Sequence, residues 1–344
     1  MARRATMRDV AREAGVSVMT VSYAYGDPGR VGDRTRRLVL EAAARLGYPG
    51  PHPAAQSLRT GRTGTLGVVL GEHLTYAFDD PQATAFLAGV AGVCVEHELG
   101  MTLIPVTGAP TDAARLREAA VDALVLWTTV DGDPLLDVVR ELGTPAVMHG
   151  GPQVEGLGLV SIDDRAAARA VAEVAFAGAR HPAVLSFPLD RGRRSDVLLG
   201  PDADAAPFPI TRRRLQGYAD ACGAGWAQVP VVVLARNDTV EAEQAAARLL
   251  DDGTVDAVAA MSDQIALGVL RAARRLGRGV PDQLAVTGWD DSPAAEAAGL
   301  TTVAQSLREQ GATCARRALG VEPPGEPVLA PWQLVRRTTT RDDA

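Results

Sequence analysis

From Leu66 onward, short apolar runs alternate with stretches of helical periodicity, and no feature constrains the fold of this chain more. Strands are expected at 66–70, 101–106, 123–126, 146–149, 159–162, 183–187, 229–234, 257–260 and 284–287. Helical patterns fall between them, for example at 84–99, 164–177, 239–250 and 264–276. Strands alternating with helices of this length predict a parallel, doubly wound α/β sheet. Nine strands are too many for one compact layer, so two lobes are expected. The chain of 344 residues, 47% hydrophobic, is long enough to bury both. The stretch 190–206, rich in Asp, Arg, Gly and Pro, is read as a mobile surface loop, and residues 338–344 are expected to fray.

The first fifty residues are built differently. Thr6 can cap a first helix, with Asp9 in its first turn near the positive end. Ala11 is small where two helices would cross, and Gly15 supplies the positive φ of a tight turn. Ser17 caps a second helix, and Val10, Ala14 and Val21 form a small core. This is a helix-turn-helix pattern, whose second helix enters the major groove of DNA. A third helix is expected over 33–46, with Leu38, Val39, Ala42 and Leu46 on one face, Arg34, Arg36, Arg37 and Arg45 outward, and Gly47 as its stop.

The charge supports this division. Residues 1–63 hold 11 Arg against 5 acidic residues, a net of +6, whereas residues 64–344 hold 24 Arg against 37, a net of −13. A basic head on an acidic body directs nucleic acid to the head. Every cation is Arg, so a Gly-x-x-x-x-Gly-Lys phosphate loop is impossible. Neither His-Glu-x-x-His nor Cys-x-x-Cys occurs, and no catalytic residue, metal site or cofactor is expected. The three cysteines, Cys94, Cys222 and Cys314, are read as free thiols in a reducing compartment. No 18-residue uncharged apolar stretch and no apolar leader is present, so a cytoplasmic, nucleoid-associated protein without membrane contact is expected.

The order of a helix-turn-helix, the run Pro53-Ala54-Ala55-Gln56-Ser57-Leu58 and an α/β body resembles the lactose-repressor (LacI/GalR) family of transcription regulators. The resemblance covers essentially the whole chain. It implies a DNA-binding domain at 1–50, a hinge helix and linker at 51–64, and a two-lobed, periplasmic-binding-protein-like domain at 65–337 that binds effector and dimerises. Lobe 1 is expected at about 65–162 and 306–321, lobe 2 at about 163–304 and 326–337, with crossovers near Asp163, Gln305 and 321–326. The implied function is a repressor that binds a pseudo-palindromic operator as a homodimer, with a tetramer left open, and that answers to a small-molecule effector. A sugar or sugar derivative fits that role, and a purine or other metabolite stays open. A solute-binding protein and a small-molecule enzyme on the same fold are the alternatives.

By the same resemblance, Val18, Met19, Ser22 and Tyr23 face the groove, although the commonest family pattern has Arg where Tyr23 stands. Tyr23 and Tyr25 could equally pack the small domain. Arg8, Ser17, Thr20, Arg30, Thr35 and Arg36 are read as phosphate clamps. Ala55 and Leu58 belong to a hinge helix in the minor groove, with Leu58 the wedge that opens a base step. In the effector cleft, Arg214 of Arg214-Leu215-Gln216-Gly217-Tyr218 is the donor to ligand hydroxyls or a carboxylate. Ser262 touches ligand while Asp263 caps the helix that follows, Asp290 accepts ligand hydrogen bonds, and Gln305 faces the cleft. Tyr76, Phe78 and His149 complete the set from lobe 1. The pairs Asp163-Asp164 and Asp251-Asp252 are read as turn and cap residues.

Overall fold

The computed structural model describes residues 5–50, 61–71, 73–323 and 325–341. The chain forms two compact units, Met1–Gly64 and Thr65–Ala344. The first holds α1 (Met7–Ala14), α2 (Val18–Gly26) and α3 (Asp33–Arg45). Thr6 and Asp9 form a reciprocal capping box on α1, satisfying two otherwise orphaned N–H groups. Gly15 takes φ +66° in the turn, and Ser17 caps α2. Val10, Ala11, Val21, Ala24, Val39, Ala42 and Ala43 make the core, flanked by Ala14, Tyr25 and Tyr48. Leu38 and Leu46, expected on the buried face of α3, are exposed instead. The core of so small a unit is filled by Val39, Ala42 and Ala43 before it reaches them.

The second unit contains two sheets of the expected doubly wound kind. The first has the order β12-β5-β4-β3-β1-β2, all parallel, from β1 (Thr65–Leu70), β2 (Gly100–Pro105), β3 (Ala123–Trp127), β4 (Ala146–His149), β5 (Gly158–Ser161) and β12 (Val328–Leu329). Leu66, Val68 and Leu70 enter one core layer while Val69 enters the other, so both faces of β1 are buried. That is why a parallel strand reads as a continuous apolar run rather than an alternating one. The helices α4 (Tyr76–Asp79), α5 (Pro81–Glu96), α6 (Asp112–Glu118) and α7 (Pro134–Leu142) follow the first strands. Helix α5 starts at Pro81 rather than at 84, because Asp80 caps it and proline suits its first turn.

The second sheet has the order β10-β9-β6-β8-β7, from β6 (Pro182–Ser186), β7 (Asp196–Leu199), β8 (Pro230–Val233), β9 (Ala257–Ala260) and β10 (Ala285–Thr287). Around it lie α8 (Asp164–Ala175), α9 (Pro209–Cys222), α10 (Thr239–Leu249), α11 (Asp263–Arg275) and α12 (Pro293–Ala297). The chain then forms β11 (Thr302–Ala304), returns to the first lobe as α13 (Leu307–Ala318), and closes with β13 (Gln333–Val335) antiparallel to β11.

Three expectations are corrected. The segment 190–206 is not a plain loop. It carries β7, which extends the second sheet antiparallel to β8, and a 3-10 turn over Ala203–Ala205. Residues 326–329 belong to the first lobe because Val328 pairs with Val160, so the last crossover follows Leu329 instead of lying at 321–326. The chain end does not fray from residue 338. Thr339 and Thr340 are buried, and the Thr339 hydroxyl donates to the Val286 carbonyl at 2.7 Å.

Candidate functional site

In the first unit, the N-terminal half of α2 presents an apolar surface that its own core does not use. Val18 is 42% and Met19 61% exposed, with Ser22 and Tyr23 half-buried beside them. Tyr25 packs edge-on against Tyr48, their centroids 6.0 Å apart, so it belongs to the core. Tyr23 does not enter that cluster. Its hydroxyl accepts from Arg30 Nη1 at 3.3 Å, and the Arg30 guanidinium lies 5.3 Å from its ring. Arg30 also pairs with Asp27 at 3.1 Å, which ties it back to the unit. Arg8 and Arg36 are exposed and Thr35 is half-buried. The Ser17 and Thr20 hydroxyls lie 2.9 Å apart, and Ser17 Oγ also accepts the Thr20 N–H at 3.0 Å. Ala55 and Leu58 lie outside the described residues.

In the second unit, a cleft of about 1010 Å³, solvent at its mouth included, lies beyond the carboxyl ends of the parallel strands of both lobes. That is where open α/β sheets bind ligands. Trp127, His149 and Ser161 reach it from the ends of β3, β4 and β5. Phe187, Asn237 and Asp290 reach it from the loops after β6, β8 and β10.

At its centre is Arg214. Gly217, one turn further along α9, sits against α8 so closely that a Cβ would lie 2.4 Å from the Arg165 carbonyl oxygen. That approach brings Arg214 to Asp164. Nε donates to Asp164 Oδ1 at 3.0 Å and Nη1 to the Met261 carbonyl at 2.6 Å. The guanidinium lies 3.7 Å from the Trp289 ring centroid and 5.4 Å from that of Phe187. Stacking and two bonds fix the fork in one orientation, and Nη2 takes no hydrogen bond among the described residues.

Asp290, the residue after Trp289, lines the same cleft on a backbone of φ +107°, a conformation rarely adopted by residues other than glycine. Burial pushes its carboxyl well above the usual carboxylate range, partly offset by the charge of Arg214. From it runs a chain of amides. Gln305 Nε2 donates to Asp290 Oδ1 at 2.8 Å, Gln310 Nε2 donates to Gln305 Oε1 at 3.1 Å, and Gln310 Oε1 lies 2.8 Å from His149 Nε2. With the Gln310 oxygen facing it, Nε2 is the protonated nitrogen of the imidazole, which leaves Nδ1 as a buried acceptor with no protein partner. Burial lowers the pKa of His149 and keeps the ring neutral. The chain spans from the second lobe to the first.

Tyr76, His149, Arg214, Asp290 and Gln305 thus line one cleft. Phe78 does not; it is 69% exposed and absent from the lining, since the short helix α4 turns Tyr76 inward and Phe78 away. Ser262 is buried behind the cleft rather than in it. It caps α11, and its hydroxyl donates to Asn237 Oδ1 at 2.5 Å, while Asn237 itself lines the cleft. Asp263 is not that cap; its carboxylate accepts from the Ser292 N–H and the Thr302 hydroxyl, both at 2.7 Å. Asp163 caps α8 as expected of a turn acid, but Asp164 is a buried partner of Arg214. The residues the sequence reading missed are Asp80, Trp127, Phe187, Asn237 and Gln310. Only Trp127, an aromatic at the end of a buried strand, carried a usable signal. Asn237 Nδ2 donates to Asp80 Oδ2 at 2.6 Å, and ion pairs Arg212–Asp131 and Arg191–Asp133 also join the lobes.

Among the described residues no helix is long and apolar enough to cross a membrane, and no group of His, Cys, Asp or Glu could hold a metal ion.

A helix-turn-helix unit and a two-lobed, periplasmic-binding-protein-like unit together define a DNA-binding transcription regulator. Residues 6–50 match the model of the bacterial regulatory proteins of the lacI family, and residues 185–340 match that of the periplasmic binding protein-like domain. An HTH-type transcriptional regulator of Mycobacterium tuberculosis is 35% identical over 98% of this chain and 97% of its own. The crystal structure of a LacI-family regulator from Corynebacterium glutamicum is similar at 28% identity and TM-score 0.73, covering 99% of this chain and 100% of that one. The transcriptional regulator CelR in complex with cellobiose is similar at 27% identity and TM-score 0.65, covering 98% and 100%. The chain belongs to the LacI family of helix-turn-helix transcription regulators.

Proposed function

We propose that this regulator is a repressor without catalytic activity, working in the cytoplasm, that binds a pseudo-palindromic operator as a homodimer. A sugar or sugar derivative held in the cleft changes its operator affinity. The observation that carries this reading is Arg214, clamped by Asp164, stacked on Trp289 and lining with Asp290 one cleft walled by aromatic rings. A rigid fork of donors beside acceptors and ring faces suits a molecule that carries hydroxyls on one edge and C–H groups on its faces. The cellobiose bound by CelR is a molecule of that kind. On the DNA side, exposed Val18 and Met19 offer apolar contacts such as a thymine methyl accepts, and Ser22 and Tyr23 offer hydroxyls. A ligand that prefers one lobe arrangement shifts the population of DNA-competent dimers by its differential affinity.

The test is selection of DNA from a random library by the purified full chain, followed by titration at several salt concentrations. The expected product is a two-fold repeat of one half-site, bound with a slope near −0.9 per phosphate neutralised. Failure to enrich any sequence overturns the operator reading.

A further inference from the structure

We infer that Arg30 is a positioning residue for base reading rather than a phosphate clamp: it holds the Tyr23 hydroxyl so that its proton is donated to an acceptor on one base pair of each half-site. This inference rests on the operator reading, with α2 as the helix that enters the major groove.

The turn after α2 folds Arg30 back onto Tyr23. The Asp27 N–H donates to the Tyr23 carbonyl at 2.9 Å, and the Arg30 N–H donates to the Asp27 carbonyl at 3.1 Å, closing a 3-10 turn over Pro28–Arg30. Three contacts then act on one side chain. Arg30 Nε pairs with Asp27 Oδ2 at 3.1 Å, Nη1 donates to the Tyr23 hydroxyl at 3.3 Å, and the guanidinium carbon lies 5.3 Å from the centre of the Tyr23 ring. An exposed ion pair alone is worth little. Here a planar fork is engaged by carboxylate, hydroxyl and ring together, and such a fork gives up less freedom for each bond it forms. Its charge is met by Asp27, so a phosphate approaching Arg30 would also approach a carboxylate. A cation matched in that way releases fewer counterions from DNA than an unmatched one.

The consequence lies in the phenol, whose oxygen can donate and accept. Arg30 supplies the bond that the oxygen accepts, so the O–H is what remains for DNA. Chains of hydrogen bonds polarise one another, which strengthens that O–H as a donor. The acceptors it can reach in a major groove are guanine N7 and O6, adenine N7 and thymine O4; the amino groups of adenine and cytosine are donors themselves and cannot take its proton. Met19, one turn earlier on α2 and exposed, stands on the same face of the helix and would shield the contact from water. A Tyr23 without Arg30 could turn its hydroxyl to donate or to accept, and it would discriminate less between base pairs.

Selection from a DNA library randomised across the half-site, run with the full-length wild type, Tyr23→Phe and Arg30→Gln, tests the inference. Neither side chain belongs to the core of the small unit, so both variants should fold. The wild type should show a preference at one base pair that both variants lose, by roughly fivefold or more per half-site, the low end of base discrimination. Other positions should stay as in the wild type, and Tyr23→Phe/Arg30→Gln should lose no more at that pair than either single change. On the wild-type site, the slope of log K against log salt should be the same for Arg30→Gln as for the wild type. Analogues of that base pair lacking purine N7, guanine O6 or thymine O4 then remove the acceptors one at a time. One of them should cost the wild type a similar factor and cost Tyr23→Phe nothing further. If Arg30→Gln weakens all sequences evenly and makes the slope shallower by about 0.9 per half-site, Arg30 is a phosphate clamp and the inference is overturned. An unchanged preference in Tyr23→Phe, or a preference that no missing acceptor affects, overturns it as well and leaves the operator reading standing. A library from which the wild type enriches no sequence overturns the operator reading, and this inference with it.

Discussion

Arg214 and Asp164 should be strongly coupled in stability, and the coupling can be worked from their surroundings. Both side chains are almost wholly buried, with Nε 3.0 Å from Oδ1. Arg214→Met leaves the Asp164 carboxylate without its cation in a dry site, a loss of about 3–5 kcal/mol. It also strips the Met261 carbonyl of a 2.6 Å donor and removes the stack on Trp289. For a unit of this size the change corresponds to a melting-temperature drop of roughly 6–20 °C, at about 2–4 °C per kcal/mol. Asp164→Leu leaves Arg214 charged and should cost a similar amount. The double variant Arg214→Met/Asp164→Leu replaces the pair with apolar groups, so it should lose less than either single change. The assay is a double-mutant cycle by urea denaturation and calorimetry of the full chain. A double variant whose loss equals the sum of the singles would show that the two side chains do not depend on each other, and the geometry argued for the cleft would be wrong.

Gly217→Ala places a methyl 2.4 Å from the Arg165 carbonyl oxygen, so it should destabilise by about 1–3 kcal/mol by urea titration and displace Arg214. An unchanged midpoint would mean α8 and α9 are not in that contact. Asp290 is buried, with Arg214, Asp263 and Asp80 as the charged groups that act on it. Since its folded pKa is raised, the folded state binds the proton more tightly, and its stabilising share is lost as pH rises above the ordinary carboxylate range. Asp290→Asn should therefore gain stability over wild type at neutral pH and lose that advantage towards pH ~4; a pH-independent difference contradicts the burial argument. Leu58→Ala should weaken operator binding by up to a few kcal/mol, the scale of unstacking one base step, with little effect on random DNA. Equal losses on both would make Leu58 a passive linker residue.

Strands buried on both faces were legible because they must be apolar throughout: β1, β3, β4 and β9 read directly as Leu, Val, Trp, Met and Ala runs. The helix starts were legible for a local reason, since Thr6, Asp9 and Ser17 act within three residues of themselves. Strand β7 was not, because Asp196, Val197 and Leu199 are exposed and only pairing with β8, some thirty residues away, makes them a strand. β12 is two residues long and owes its place to β5. In the cleft, the Arg-Leu-x-Gly-Tyr motif pointed to Arg214, but nothing local distinguishes Asp164 from its capping neighbour Asp163. Its role appears only when Gly217 lets two helices meet. Asn237 and Gln310 were silent for the same reason: their partners are 157 and 161 residues distant.

The most direct test of the account joins its two ends. The sugar that most stabilises the wild type in thermal screening is titrated into the full-length protein on its selected operator, and the operator Kd is read by fluorescence anisotropy. Coupling between two sites of one protein is typically about 1–3 kcal/mol, or roughly 5–150-fold in affinity. The account predicts a shift of that size in wild type and none at the same sugar concentration in Arg214→Ala. An operator Kd unmoved by a sugar that demonstrably occupies the cleft, or moved equally in both proteins, would contradict it.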